Sequence, residues 1–584
     1  MRIRRALVTP LAAVMLSAGF TGIARAGPPS WCAQPAGRAW CDGSLPPDTR
    51  ADLLAAQLTE DEKLRLLSGA DQPGQYATVP RLGLPTITFT DGPAGVPRGT
   101  ALPAPVALAA TFDTGAASRY GAVVGDEATH RGDTVVFGPS VDVGGTGRWQ
   151  AYGTDPYLSA RLATEWTQGA QAQGVIAAVR GFPSQATDAL AAVVTQGQAG
   201  MVVCGRNCQS RGLLTTVLRG ELGFQGAVVS DDVRTVTDTR KAAGAGLDVM
   251  LPAAAAYAPP LLQFWLAAGG VSQADVDQHV HRILRTLFAF GVFDRTAYTD
   301  DADGAAYRPV WAEHAQTALE VEKSGITLLK NSGVLPLPGT AKIALIGSAA
   351  LGTAGTGAVS PKDGITRRVG TVTYTDGTDG TDGTDRTDGT DRRAAIASAR
   401  AADVAIVFAA DSPGQACQAH TTACGNAGQD GLIRAVAAAN PNTIVVLETG
   451  GPVPTPWAGK VKGILEAWYP GQAGGTALAS VLFGDSDPGG RLPVAFPDFP
   501  FGYGLSYTTF GYHDLDVRAG TARATVTNTG TRRGIAVPQL YLNGRLAGFT
   551  KITLDPGEST QVIFPVPGSR EDDVVGGVRV GEGQ

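Results

Sequence analysis

The chain has 584 residues, 43% hydrophobic and 17% charged, with a formal net charge of −6, and its mean hydropathy is +0.02. This balance excludes a disordered chain, which low hydrophobicity with high net charge would produce, and the length accommodates about three or four domains. The acidic balance and the lack of any Lys/Arg cluster exclude a nucleic-acid footprint, and no apolar stretch is long enough and suitably flanked to span a bilayer.

The N-terminus reads as a signal peptide over residues 1–26. Arg2, Arg4 and Arg5 form a basic n-region, Ala6 to Phe20 an apolar h-region, and Ala24-Arg25-Ala26 a cleavage site. Cleavage after Ala26 removes four Arg and no acid, taking the net charge from −6 to −10. The expected localisation is secreted and extracellular, where disulfides form. The six Cys lie in three local pairs, Cys32/Cys41, Cys204/Cys208 and Cys417/Cys424. Six Cys allow about 15 pairings, and these three disulfides are the expectation from proximity. Zinc is the rival reading, but six His and no C-x₂-C pair offer it little. No metal or cofactor is expected.

From about residue 50 to 295, short β-branched runs alternate with Ala-rich segments of helical period. The runs are Thr134–Phe137, Gly174–Val179, Gly200–Cys204 and Ala227–Ser230. Such alternation implies crossover connections and a parallel sheet, and the length fits a (β/α)₈-type barrel with its site at the C-terminal strand ends. A Tyr/Asp-rich connector, Ala297–Tyr307, leads to a second alternating block with strands at Lys342–Ile346, Val404–Phe408 and Thr443–Leu447. This block is a smaller α/β sandwich. From Phe501 the alternation has period two, at Ala522–Asn528, Val537–Leu542 and Thr560–Phe564, which reads as an antiparallel β-sandwich. The fold class is thus α/β multidomain, with units over residues 27–300, 315–500 and 501–584. Between Asp376 and Asp391 a D-G-T repeat recurs. It lacks the apolar positions of a calcium-binding β-helix repeat and reads as a solvated loop.

The stretch Gly226-Ala227-Val228-Val229-Ser230-Asp231-Asp232 ends an apolar strand in a hydroxyl and two carboxylates. A barrel displays catalytic groups at such a place; equally, Ser and Asp cap helices. Here the chain resembles glycoside hydrolase family 3, the β-glucosidase-like family, whose G-x-V-V-S-D-W segment carries the nucleophilic Asp. The resemblance makes Asp231 the nucleophile and puts Asp232 where the family has Trp. The string T-D-G-P-A-G-V at Thr90–Val96 resembles the family segment whose Asp holds sugar hydroxyls, which is Asp91. Gly147-Arg148-Trp149 followed by Tyr152–Leu158 resembles another family segment and makes Arg148 a sugar-binding candidate. Trp149 and Trp468 are either sugar platforms or packing residues, and Asp232 stands as a further substrate-binding candidate. Gly325–Asn331, Asn440–Pro454, Leu465–Gly475, Leu482–Pro497 and Tyr503–Phe510 follow the family consensus in order. The last of these is its entry into a C-terminal fibronectin type III-like β-sandwich.

The resemblance implies retaining hydrolysis of β-glycosidic bonds with a carbohydrate or glycoside as partner. One Asp attacks the anomeric carbon; a second carboxyl protonates the leaving oxygen and later deprotonates water. Several positions depart from the pattern. Arg180-Gly181-Phe182-Pro183 stands where the family has Lys-His, and the loop that follows is short. Cys204-Gly205 replaces a Tyr-Asn, and Gln150 a Glu. In the second unit Pro413 occupies the place of the acid/base Glu. Asp411 is the nearest carboxylate and is either a substitute acid/base or a turn residue, while Glu448 and Glu466 lie on apolar strands and read as structural. Two functions therefore stand side by side: a weak secreted glycosidase, or a non-catalytic relative that binds carbohydrate. The secreted protein should begin at Gly27 and carry no free thiol. Intact mass under non-reducing conditions checks this, and alkylation of Cys417 or Cys424 without reduction would refute the local pairing.

Overall fold

The computed structural model describes residues 32, 38–69, 75–76, 79–82, 84–143, 149–181, 187–253, 255–294, 308–352, 355, 357–377, 390–411, 427–518, 520–566 and 578–581. Residues 1–26, the Ala297–Tyr307 segment and most of the D-G-T repeat lie outside them.

The first unit is built on β1 (Gln75–Tyr76), β2 (Ile87–Asp91), β3 (Val135–Ser140), β4 (Ile176–Arg180), β5 (Met201–Val203) and β6 (Ala227–Val229). They lie in one sheet in sequence order. β1 runs antiparallel to β2, and β2 through β6 are parallel. Four of these strands coincide with the runs read from the sequence. The expected eight-stranded closure differs: among the described residues the sheet ends at β6, extended only by a parallel bridge between Val229 and Val249. Beyond Leu251 the chain carries no β-branched run and instead forms helices Pro259–Ala267 and Gln273–Ala289.

Helices Thr114–His130 and Pro156–Ala172 back this sheet, each started by an Asp. Asp113 accepts from Ala116 N–H at 3.0 Å and Asp155 from Leu158 N–H at 2.8 Å, satisfying donors the helix itself cannot. Three glycines let the two helices touch backbone to backbone. A Cβ at Gly121 would stand 2.1 Å from the Trp166 carbonyl oxygen, at Gly125 2.3 Å from that of Ala170, and at Gly169 2.1 Å from that of Ser118.

The second unit holds β7 (Thr327–Asn331), β8 (Ile343–Ile346), β9 (Val372–Thr375), β10 (Val404–Ala410), β11 (Thr443–Glu448) and β12 (Gly463–Glu466). Their order is β7-β12-β11-β10-β8-β9, parallel except for β7. β10 and β11 are buried along nearly their whole length, the pattern of a sheet covered on both faces.

The C-terminal strands are β13 (Phe510–Arg518), β14 (Thr521–Asn528), β15 (Gly534–Ala536), β16 (Gln539–Leu542), β17 (Arg545–Phe549), β18 (Ile552–Leu554), β19 (Ser559–Pro565) and β20 (Val578–Gly581). They form the antiparallel sheets β13-β14-β19, β15-β18 and β17-β16-β20 over a core that includes Val526, Leu540 and Phe564. Lys551 ties all three units together, its ammonium donating to the Thr111 carbonyl at 2.9 Å and the Ser324 carbonyl at 3.2 Å.

The close helix pair yields a stability prediction. Gly121→Ala should cost about 1–3 kcal/mol, the range for overpacking a tight contact. Gly212→Ala, where nothing lies within 4 Å of the new Cβ, should leave the thermal midpoint nearly unchanged. Equal shifts in the two variants, measured by scanning calorimetry, would contradict the packing argument.

Candidate active site

Three charged side chains meet at the C-terminal edge of the first sheet. Asp91 is the last residue of β2, Arg180 the last of β4, and Asp231 follows β6 by two residues. Arg180 Nη2 donates to Asp91 Oδ1 at 2.7 Å, and Arg180 Nε stands 3.3 Å from Asp231 Oδ2. The guanidinium lies over the Phe137 ring, 4.8 Å from its centroid, and Phe137 stacks in turn on Phe89 at 5.6 Å. These residues line a cavity of about 280 Å³ whose remaining wall is Leu251 and Pro252. The Asp91 side chain is 67% exposed and that of Asp231 26% exposed.

Local hydrogen bonds explain why Asp231 faces the cavity. Ser230 is fully buried; its hydroxyl donates to the Leu251 carbonyl at 2.8 Å and accepts from Leu251 N–H at 2.9 Å. These two hydrogen bonds fix both the strand end and the opposite wall. The helix-cap role open to Ser230 and Asp231 is taken by Asp232, which accepts from Arg234 N–H at 2.9 Å. Asp232 also pairs with the Arg234 guanidinium at 2.7 Å, and these bonds, side chain first and then backbone, hold its carboxyl at about 2. Asp232 is thus engaged with Arg234 and is not among the residues lining the cavity.

The other predicted residues are dispersed. Arg148 lies outside the described residues. Trp149 packs edge-on against Tyr469, with ring centroids 6.1 Å apart, and its carbonyl accepts from Val106 N–H at 3.2 Å. It is a packing residue at the seam between the first two units, not a wall of the cavity. Trp468 is fully buried and donates its indole N–H to the Gly325 carbonyl at 3.2 Å. Cys32–Cys41 and Cys204–Cys208 are bonded, whereas Cys417 and Cys424 lie outside the described residues, as does Pro413. Among the described residues, no group of three or more His, Cys, Asp or Glu is placed to hold a metal ion, and no helix is long and apolar enough to cross a membrane.

Arg180 is the site residue that sequence reading missed as a participant. It was visible as a departure from the family pattern. The usable signal was a cation at the end of a parallel strand, with carboxylates at the ends of the strands two places away on either side.

The second unit presents its own strand ends to this region. Residues 92–104, which follow Asp91, meet the loop after β12: Ala104 N–H donates to the Tyr469 carbonyl at 3.0 Å, and Gln472 N–H to the Ala101 carbonyl at 2.8 Å. Asp411, directly after β10, accepts from Gly450 N–H at 3.1 Å. Burial raises its carboxyl, opposed by hydrogen bonds from the Tyr469 hydroxyl and Gly450 N–H. Glu466 accepts from Trp468 N–H at 2.8 Å and from the Thr449 hydroxyl at 3.1 Å, consistent with a structural role. Glu448 and Glu322 are buried and each pushed up to about 8, Glu448 by burial and Glu322 by burial and then by the Glu448 charge.

These two carboxyls give a pH prediction with a definite sign. In the fold they hold their protons up to about 8, whereas the unfolded chain releases them near 4.3 (approximately). Stability therefore falls as pH rises between those limits, by about 1.4 kcal/mol per pH unit for each group. Glu448→Gln removes one titration, so its stability relative to the parent should rise steadily from pH 5 to pH 8 (roughly the window set by the two values). A pH-independent difference, measured by denaturant unfolding, would contradict the burial argument.

Comparison with known proteins gives one family. Residues 326–530 match the glycosyl hydrolase family 3 C-terminal domain, and residues 72–199 and 195–286 match its N-terminal domain. A thermostable beta-glucosidase B of Acetivibrio thermocellus is 29% identical over 88% of this chain and 82% of its own length. A probable beta-glucosidase L of Aspergillus terreus is 30% identical over 87% of this chain and 89% of its own. Among solved structures, a beta-glucosidase of Streptomyces venezuelae in complex with D-glucose superposes with a TM-score of 0.78 at 26% identity, covering 88% of this chain and 94% of that one. A family 3 beta-glucosidase of Bifidobacterium adolescentis gives 0.79 at 27% identity, over 91% and 93% of the two chains.

Proposed function

The chain belongs to glycosyl hydrolase family 3 and is an O-glycosyl hydrolase of the β-glucosidase-like class; on that premise we propose a secreted retaining β-glycosidase with Asp231 as nucleophile and weak turnover. The observation that carries this reading is the convergence of Asp91, Arg180 and Asp231 on one cavity of about 280 Å³. In the first step Asp231 attacks the anomeric carbon, the new C–O ester bond forms and the bond to the leaving group breaks. In the second, water attacks the same carbon, the C–O bond to Asp231 breaks to give back its carboxylate, and the water's proton passes through solvent to the departed anion. Asp91 accepts from sugar hydroxyls, Arg148 remains a sugar-binding candidate from the family resemblance alone, and the Phe89 and Phe137 rings form the apolar flank. No metal or cofactor enters either step.

The weakness follows from the acid. Pro413 stands in place of the family's acid/base Glu. A missing general acid typically costs about 10²–10⁴-fold. Asp411 is the candidate substitute, since burial raises its carboxyl and a protonated carboxyl can donate. The leader at residues 1–26, together with two disulfides, supports secretion. The antiparallel sheets after Phe510 support a fibronectin type III-like unit over residues 501–584, following units over 27–300 and 315–500.

Activity on dinitrophenyl β-glucoside, whose leaving group needs no protonation, should be measurable and abolished by Asp231→Asn. Cellobiose should be cleaved barely at all, and azide should accelerate turnover wherever deglycosylation limits. Efficient cellobiose cleavage, lost in Asp411→Ala while the dinitrophenyl substrate is spared, would assign the acid to Asp411 and overturn the weakness. No covalent adduct from an activated 2-fluoro-glycoside by intact mass would instead favour the non-catalytic, carbohydrate-binding reading.

A further inference from the structure

We infer that Lys551 is a covalent modification site at the junction of the three units, where its amine condenses with short hydroxyaldehydes. Lys551 lines a cavity of about 350 Å³ that shares no lining residue with the Asp91–Arg180–Asp231 cavity. Four hydroxyl-bearing residues, Thr114, Ser324, Thr550 and Thr553, line it together with Asp113 and Lys551. Lys551 is half-buried, and the cavity is large enough for a molecule of a few heavy atoms.

Geometry and electrostatics both make this amine a nucleophile. Nζ donates to the Thr111 carbonyl at 2.9 Å and to the Ser324 carbonyl at 3.2 Å. Among the described residues it makes no third hydrogen bond. Those two bonds use both N–H groups of a neutral amine and leave its lone pair for attack. Burial pulls the ammonium down to about 7; the charges of Asp113 and Asp487 oppose this, and that of Arg491 adds to it. An ordinary lysine stays protonated up to about 10.4, whereas a desolvated one forms Schiff bases with carbonyl compounds.

In the reaction the lone pair forms a C–N bond to the aldehyde carbon. The aldehyde oxygen leaves as water with the two amine hydrogens, and a proton from solvent turns the imine into an iminium. That cation stands near the Asp113 carboxylate, which favours it. The carbamate that carbon dioxide would form is an anion and is disfavoured there by the same charge. An iminium keeps one N–H for two carbonyls, so modification removes one of the ties that Lys551 makes between the units.

The test treats the full-length purified protein with glycolaldehyde and cyanoborohydride, whose hydride reduces the iminium to a stable secondary amine. Peptide mass mapping then follows each lysine, with the exposed Lys241, Lys342 and Lys460 as internal references. At about pH 7 Lys551 should react tenfold or more faster than any reference, because a far larger fraction of it is neutral. The ratio of rates should be flat below about pH 7 and fall above it, since the references go on gaining neutral amine after Lys551 is already neutral. The treatment should also lower the thermal midpoint of the parent. Lys551→Arg keeps donors for both carbonyls and cannot form the imine, so its midpoint should not move. If that variant does not fold, the rate ratio in the parent carries the test. Reaction of Lys551 no faster than the references, or a ratio independent of pH, overturns the inference. A midpoint that falls equally in parent and variant would assign the loss to other lysines and overturn it as well.

Discussion

The site depends on the parallel register of the first sheet. In a parallel ladder every strand delivers its last residues to the same edge, so β2, β4 and β6 bring Asp91, Arg180 and Asp231 together although they lie far apart in sequence. The ion pairs among them could not do this alone, because partly exposed pairs contribute little free energy. They orient side chains whose Cα positions the ladder has already set. Ser230 completes the arrangement through its two hydrogen bonds with Leu251, holding the overhanging Asp231 against the far wall.

The second unit applies the same geometry to a different end. Its strands also deliver carboxyls to one edge, Glu448 and Glu466 as the last residues of β11 and β12 and Asp411 directly after β10, and burial raises all three. Burying a charge costs far more than burying a neutral acid. Such carboxyls fit a seam that is packed, as residues 101–104 are against the Tyr469–Gln472 loop.

Behind the first sheet, backbone contact between helices Thr114–His130 and Pro156–Ala172 limits how far that frame can shift. Gly121, Gly125 and Gly169 are required there by lack of space, so one helix cannot slide without carrying the other. Lys551 extends the constraint by binding carbonyls of the first two units from the third.

Much of this was determined by the amino-acid sequence itself. The strands β3 to β6, the α/β and antiparallel units, two disulfides, and Asp231 and Asp91 as strand-end carboxylates follow from periodicity, spacing and motif, because those signals are local. Tertiary structure decided what depends on several segments at once. The sequence could not show that Asp232, rather than Asp231, caps the next turn, since both are adjacent carboxylates and only the Ser230–Leu251 bonds separate their directions. Nor could it show that Trp149 packs on Tyr469 instead of facing the cavity. Nor could it show that, among the described residues, the first sheet ends at β6. Arg180 is the sharpest case: as a letter it is a mismatch to a family pattern, and its role exists only because strand pairing sets a guanidinium between two carboxylates that lie 140 residues apart in the chain.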